Sequence, residues 1–359
     1  MTRPAGSYSF SIPIPGSASN GQKYYVVDAN VPDTIARTYR ATVTFAVTLS
    51  GPPAGSFPRS FVAWTNADNL SPEDPTATLA RHDLVWMAPA FFGWWWTNPA
   101  DHPVWDYRFE TLENLGGAAH PIPTLRSLNP NIKILAVLQH YSVGGNDLPI
   151  DHAWWLRDGQ GNRGPVPFPY PEYILNQDLV ALQTHITNQA ISIWQSGQFD
   201  GVFLDVFWPL QAPGRSGANT YSTIINNIRT AIGNNALIVV NANQQQLPVS
   251  IINKVNGVFL ESGQMSTTND WTTVKNALIY NEASTHGGTP SQQPRVNCLE
   301  TNGPRNDTRM RATTCLSLMF SNGYALFSDP GIHEHNLARC RTLRALMSQA
   351  EGGIHRHSN

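Results

Sequence analysis

Two segments of the chain end alike. Residues 201–205 read Gly-Val-Phe-Leu-Asp and residues 257–261 read Gly-Val-Phe-Leu-Glu. Continuous apolar runs of this kind suit strands buried on both faces. Matched runs would carry Asp205 and Glu261 to the same height at the ends of two such strands. Two facing carboxyl groups, one ionised and one protonated, are what hydrolysis of a glycosidic bond requires. One attacks or steadies the anomeric carbon while the other protonates the leaving oxygen. Their mutual repulsion helps to keep a proton on one of them. A single acid after a strand is better read as a cap or a solvated loop residue; a matched pair among aromatic residues favours the catalytic reading.

Other polar and aromatic residues stand at or just beyond the ends of apolar runs. They are Gln139, His140 and Tyr141; Arg157 and Asp158; Phe207 and Trp208; Asn241, Asn243 and Gln244; Glu300; and Asp329. The chain also holds 11 tryptophans, of which Trp86, Trp95 and Trp155 lie in or beside such runs. Flat rings cover the apolar faces of sugars, while amides, Arg and carboxylates bond the hydroxyls. The expected substrate contacts are therefore Trp86, Trp95, His140, Tyr141, Trp155, Arg157, Asp158, Phe207, Trp208, Asn241, Asn243, Gln244, Glu300 and Asp329. About half of the aromatic residues should be core instead, because Trp is usually well buried. Glu300 and Asp329 divide evenly between site and structure, since strand-end acids also cap loops.

Composition excludes several alternatives. The 359 residues carry 23 basic and 25 acidic side chains, a formal charge of −2, and 13% charged residues, about half the usual ~25%. That balance lacks the basic excess of a nucleic-acid binder. No apolar run reaches the ~18 residues of a membrane-crossing helix. Three cysteines (Cys298, Cys315 and Cys340) show no metal-knuckle spacing and leave at least one thiol unpaired. His333 with His335, and His355 with His357, form H-x-H pairs without a third ligand, so no metal is expected. No G-x-G-x-x-G follows the first apolar run and no G-x-S-x-G elbow occurs, which argues against a dinucleotide cofactor and a serine hydrolase. No cofactor is expected. The first 16 residues contain prolines within their apolar stretch and do not read as a signal peptide.

Elements that could hold the acids in place are legible as alternation. Eight apolar runs, at 82–90, 132–141, 153–158, 200–208, 236–244, 255–263, 295–303 and 324–331, are strand candidates. Helix-length segments at 174–196, 219–232, 246–254, 271–285 and 305–321 lie between them. Strands alternating with helices predict an α/β protein, a (β/α)8 barrel whose chemistry sits at the carboxyl ends of the strands. The run at 153–158 is the weakest strand, being short and followed by a Gly/Pro-rich loop. Residues 1–80 read differently: rich in Gly, Pro, Ser and Thr, with one alternating stretch over 38–50. The expected division is a β-rich extension at 1–80 and a barrel at 81–359.

Three stretches, FDGVFLDVFW (199–208), IVVNANQ (238–244) and VNGVFLESG (255–263), resemble the barrel of the endo-α-1,4-polygalactosaminidase family, glycoside hydrolase family 114. The longer order, with NPNIKILAVLQ (129–139), WWLRDGQGN (154–162) and RATTCLSLMFSNGYALFSDP (311–330), looks closer to the glycosyl hydrolase-like family 15, whose members are barrel enzymes distinct from glucoamylases. The resemblance covers about residues 80–330. It implies Asp205 as nucleophile and Glu261 as acid/base, and it does not carry over a substrate. The expectation is a retaining hydrolase of a polysaccharide or oligosaccharide, outside the cell or at its surface. The alternative is a barrel that binds glycan or builds an assembly without catalysis.

Overall fold

In the computed structural model the described residues are 21–29, 39–47, 59–63, 74–102, 106–166, 171–207, 217–263, 265, 267–302, 307–321 and 324–328. The chain falls into two compact units, Pro58–Leu337 and Met1–Phe57 with Ala338–Asn359. In the second of these, β1 (Gly21–Ala29) pairs antiparallel with β2 (Tyr39–Val47), from Gly21 opposite Val47 to Ala29 opposite Tyr39.

The larger unit is a (β/α)8 barrel. Its strands in chain order are β3 (Arg59–Ala63), β4 (Leu84–Met87), β7 (Lys133–Val137), β10 (Gly201–Leu204), β11 (Leu237–Asn241), β12 (Gly257–Glu261), β15 (Cys298–Asn302) and β16 (Tyr324–Ser328). All neighbours are parallel, and β16 closes the cylinder onto β3. Helices α1 (Pro75–Leu79), α2 (Ile122–Leu128), α3 (Val180–Gln195), α4 (Ala218–Ile232), α5 (Val249–Ile252), α6 (Thr268–Glu282) and α7 (Asp307–Phe320) connect successive strands. Three small antiparallel pairs decorate the connections: β5 (Trp94–Thr97) with β6 (Thr111–Asn114), β8 (Ser142–Gly144) with β9 (Glu172–Ile174), and β13 (Thr285–His286) with β14 (Thr289–Pro290).

Strand parity divides the core in two. Val62, Val85, Ile134, Val202, Val240, Val258 and Leu299 face outward and meet the helices, for example Leu182 and Ile186 of α3 and Ile224 and Ile228 of α4. Phe61, Trp86, Leu135, Phe203, Val239, Phe259, Cys298 and Leu326 face inward and fill the cylinder. Trp86 is stacked between Phe61 (centroids 5.0 Å apart) and Phe203 (4.5 Å), and Phe259 meets its ring edge-on at 5.3 Å. This plug is the floor beneath the mouth. A Cβ on Gly201 would lie 1.9 Å from the Leu237 carbonyl oxygen, and one on Gly257 1.6 Å from that of Val296. Close backbone approach therefore accounts for the glycine that opens both matched runs.

Two expectations need correction. The first barrel strand is Arg59–Ala63, inside the stretch read as an extension, so the barrel begins before residue 81. Five residues between Gly/Pro-rich segments gave no visible period. The run at 153–158 is no barrel strand. It is a loop tied by isolated bridges, Trp155 with Leu175 and Arg157 with Arg163. Both shifts leave Asp205 after the fourth strand and Glu261 at the end of the sixth.

Candidate active site

Inward parity continues one step above the floor. Two residues beyond Phe203, Val239, Phe259 and Cys298 stand Asp205, just past the end of β10, and Asn241, Glu261 and Glu300, on the three strands that follow it around the barrel. The register sets Asn241 beside Phe259 and Glu261 beside Glu300. The carboxyl ends of barrel strands are where this fold places chemistry.

Asn241 joins the two acids. Its side chain is buried, and its Nδ2 donates to Asp205 Oδ1 and to Glu261 Oε2, each at 2.9 Å. Its Oδ1 accepts the Asn243 backbone N–H at 3.1 Å, which fixes the orientation of the amide. The two carboxylate oxygens therefore lie no more than about 5.8 Å apart, twice the 2.9 Å reach of the shared nitrogen. Where each lies along its own N–H of the trigonal NH2 group, the separation is about 5 Å. Both acids are half-buried and keep a face to solvent.

The backbone around Asp205 is held from several sides. Its Oδ1 also accepts the Val206 N–H at 2.8 Å. Its carbonyl oxygen accepts a hydrogen bond from His140 Nε2 at 2.6 Å. His140 Nδ1 accepts from Gln177 Nε2 at 2.6 Å, which leaves the ring proton on Nε2. The Phe207 N–H donates to the Asn241 carbonyl at 2.8 Å. Val206, between these anchors, has φ of 50°. A β-branched residue adopts that left-handed conformation only when its surroundings impose it, and such strain gathers at functional sites.

The remaining sequence candidates separate by burial. Trp86 belongs to the floor and has no face for a sugar. Phe207 is buried against Tyr221 (4.6 Å) and His140 (5.6 Å). His140 is likewise enclosed and holds Asp205 rather than a hydroxyl of a ligand. Trp155 is buried in its loop, its Nε1 donating to the Pro149 carbonyl at 2.7 Å and Arg163 lying over its ring. Glu300 is fully buried beside Glu261, closed to direct contact with a ligand. Arg157 and Asp158 are exposed but serve the loop. Arg157 donates to the Gly161 and Ile150 carbonyls. Asp158 accepts from Asn162 and Gln160, and the Asn162 side chain, first among these, holds its carboxyl below the usual range. Tyr141, Asn243, Gln244 and Trp95 are half-buried. Trp208 and Asp329 lie outside the described residues.

Of the triple tryptophan, Trp95 is the expected substrate contact, with Trp94 and Trp96 among the aromatic residues that support a sugar site. Trp95 pairs with Glu113 in the β5–β6 ribbon, whereas Trp94 and Trp96, on the other face, line a cavity of about 100 Å³ with Tyr107, Ala88 and Gln139. Alternation along β5 was the available signal. Among the described residues, no group of three or more His, Cys, Asp or Glu side chains could hold a metal ion. Among them, too, no helix is long and apolar enough to cross a membrane.

No protein-family profile and no curated protein sequence matches the chain. Solved structures similar to it include the glycoside hydrolase domain of PelA from Pseudomonas aeruginosa, at 14% identity and a TM-score of 0.45, over 76% of this chain and 94% of that one. An α-galactosidase from Thermus thermophilus is similar at 13% identity and 0.49, over 81% and 62%. Ega3 of Aspergillus fumigatus, solved with galactosamine, is similar at 11% and 0.46, over 77% and 92%.

Proposed function

We propose that the protein is a retaining glycoside hydrolase acting on a polysaccharide or oligosaccharide, with Asp205 as nucleophile and Glu261 as acid/base. The observation that carries this reading is the single Asn241 nitrogen bonded to two half-buried carboxylates at the carboxyl ends of the barrel strands. Carboxyl groups about 5–5.5 Å apart suit double displacement, while ~6.5–9.5 Å leaves room for the water of an inverting enzyme. The shared nitrogen favours the shorter class.

Two N–H groups, of Val206 and Asn241, donate to Asp205 Oδ1, as a standing anion needs. Asp205 attacks the anomeric carbon while Glu261 gives its proton to the departing glycosidic oxygen. A glycosyl ester on Asp205 and a shortened chain result. Glu261, now ionised, takes a proton from water, whose oxygen displaces Asp205 and restores the original anomeric configuration. Asn241 keeps its grip on both oxygens as charge passes between the two groups. A polysaccharide substrate sets this work outside the cell or at its surface.

The test is turnover on a panel of polysaccharides with the product anomer followed by NMR. Retention is expected, with Asp205→Asn and Glu261→Gln folded but inactive. Azide should restore cleavage of an aryl glycoside by Asp205→Gly. Full hydrolysis by either carboxamide variant would overturn the assignment.

A further inference from the structure

The cavity of about 100 Å³ beside the mouth has a chemistry of its own. Its walls are Trp94 and Trp96 from one face of β5, Tyr107, Ala88 after β4, and Gln139 after β7, with Gln189 of α3 behind. Ala88 and Gln139 are exposed, so the cavity opens at the strand ends. Register fixes its position relative to the acids. Val137 of β7 pairs with Phe203 of β10, and Gln139 and Asp205 each lie two residues further along. The cavity thus adjoins the catalytic pair on the Asp205 side.

Its walls are held in place. Tyr107 is buried and its hydroxyl donates to the Gln139 carbonyl at 3.1 Å. Gln189 Nε2 donates to the Phe109 carbonyl at 3.1 Å and to that of Tyr107 at 3.3 Å. Trp94 packs edge-on against Phe199, centroids 6.3 Å apart. None of the nine lining residues carries a charge. A carboxylate entering such walls would lose water without gaining a counter-charge, and the attraction of an ammonium to an indole face is smaller than the cost of its lost water, whereas hydroxyls can bond an amide and CH faces can lie on indole. The volume corresponds to roughly three waters, enough for one edge of a sugar ring with its exocyclic group.

We infer that this cavity is a subsite for an uncharged hexose unit of the substrate, next to the scissile bond, and that Gln139, Trp94 and Trp96 set that specificity. The inference rests on the hydrolase reading and names the substrate class for it.

Calorimetric titration of the full chain carrying Asp205→Asn tests it. The neutral probes are hexasaccharides of α-1,4-glucan, β-1,4-glucan and β-1,4-galactan; the charged probes are hexagalacturonate and a chitosan hexamer. At least one neutral probe should bind at least tenfold more tightly than both charged ones. Gln139→Ala should weaken that binding about tenfold. Gln139→Lys should narrow or invert the gap between the neutral probe and hexagalacturonate. Trp94→Ala is a second variant on the opposite wall, expected to act in the same direction as Gln139→Ala. Absence of neutral binding, equal affinity for charged probes, or affinities indifferent to Gln139 and Trp94 would each overturn the subsite. Neutral binding that depends on Gln139, with no cleavage by the wild type, would uphold the subsite while removing the hydrolase. Cleavage unaffected by Gln139→Ala and Trp94→Ala in the chain that keeps Asp205 would do the reverse.

Discussion

The two ends of the barrel strands are both polar, and they use polar groups in opposite ways. At the amino ends each side chain replaces a missing backbone partner. Asp200 Oδ2 accepts the Ile134 N–H, Asn256 Oδ1 that of Ile238, Asn297 Oδ1 that of Val258, and Asp83 Oδ2 that of Ser60. Arg229 donates to the carbonyls of Lys254, Gly233 and Ala236 and to Asn256 Oδ1. At the carboxyl ends, Asn241 instead spends both N–H groups on two acids that still face solvent. Groups that complete the backbone serve stability; the two acids that share one amide nitrogen are placed for the chemistry proposed.

The sharpest way to break this contrast is at the mouth. Asp205→Asn or Glu261→Gln should lower turnover by at least about 10³-fold with little change in melting temperature. An equal loss of stability would make the mouth another structural cap. Next in size is Arg229→Met at the opposite end. Burial pushes the Arg229 guanidinium pKa down to about 10, so it stays charged at neutral pH. Its removal strands several buried acceptors and should cost about 3 kcal/mol in denaturant titrations. The kcat of the folded fraction should not change.

A smaller effect sharpens the comparison between those extremes. His140→Phe keeps an aromatic ring against Phe207 and Tyr221 but removes the N–H donated to the Asp205 carbonyl. As a positioning residue, His140 should affect kcat, roughly tenfold, more than KM, and His140→Gln should recover part of the loss. A change confined to melting temperature would class it with the amino-terminal caps. The smallest effect is that of acid on stability. Burial lowers the pKa of His152, His185 and His286, although Glu110 beside His185 acts the other way. The unfolded chain then binds protons more readily near pH 6.5, so stability is present above that pH and falls as the solution is acidified below it. Denaturant midpoints between pH 7.5 and 5 should decrease, and His185→Gln should flatten the decrease.

What the sequence disclosed followed from repetition. The runs ending at Asp205 and Glu261 are alike because both strands start against a neighbour's backbone, climb through one inward Phe, and end at one layer. Seven of the eight barrel strands announce themselves as apolar runs. Arg59–Ala63 does not, because an inward Phe61 and Ala63 with an outward Val62 make too short a pattern beside so many Gly and Pro residues. The run at 153–158 misled for the opposite reason. Trp155 is apolar to fill a loop, with its indole N–H tied to Pro149 and Arg163 laid over it. Parity along Trp94–Trp96 follows from alternation once β5 is read as a strand, whereas the tie from His140 to Asp205 and the burial of Glu300 depend on contacts between distant segments, which no spacing within one segment encodes.

The seam of the cylinder joins β16 to β3 through two register pairs, Tyr324 with Arg59 and Ala325 with Ser60, and the Arg59 guanidinium lies over the Tyr324 ring, 5.3 Å from its centroid. The staves that meet there are the earliest and the latest to leave the ribosome. During synthesis the acids at 205 and 261 are therefore already in the growing chain while the wall around them is still open. The hoop is fastened only when residues near 324 arrive, and a nascent protein must shield an open sheet edge until then.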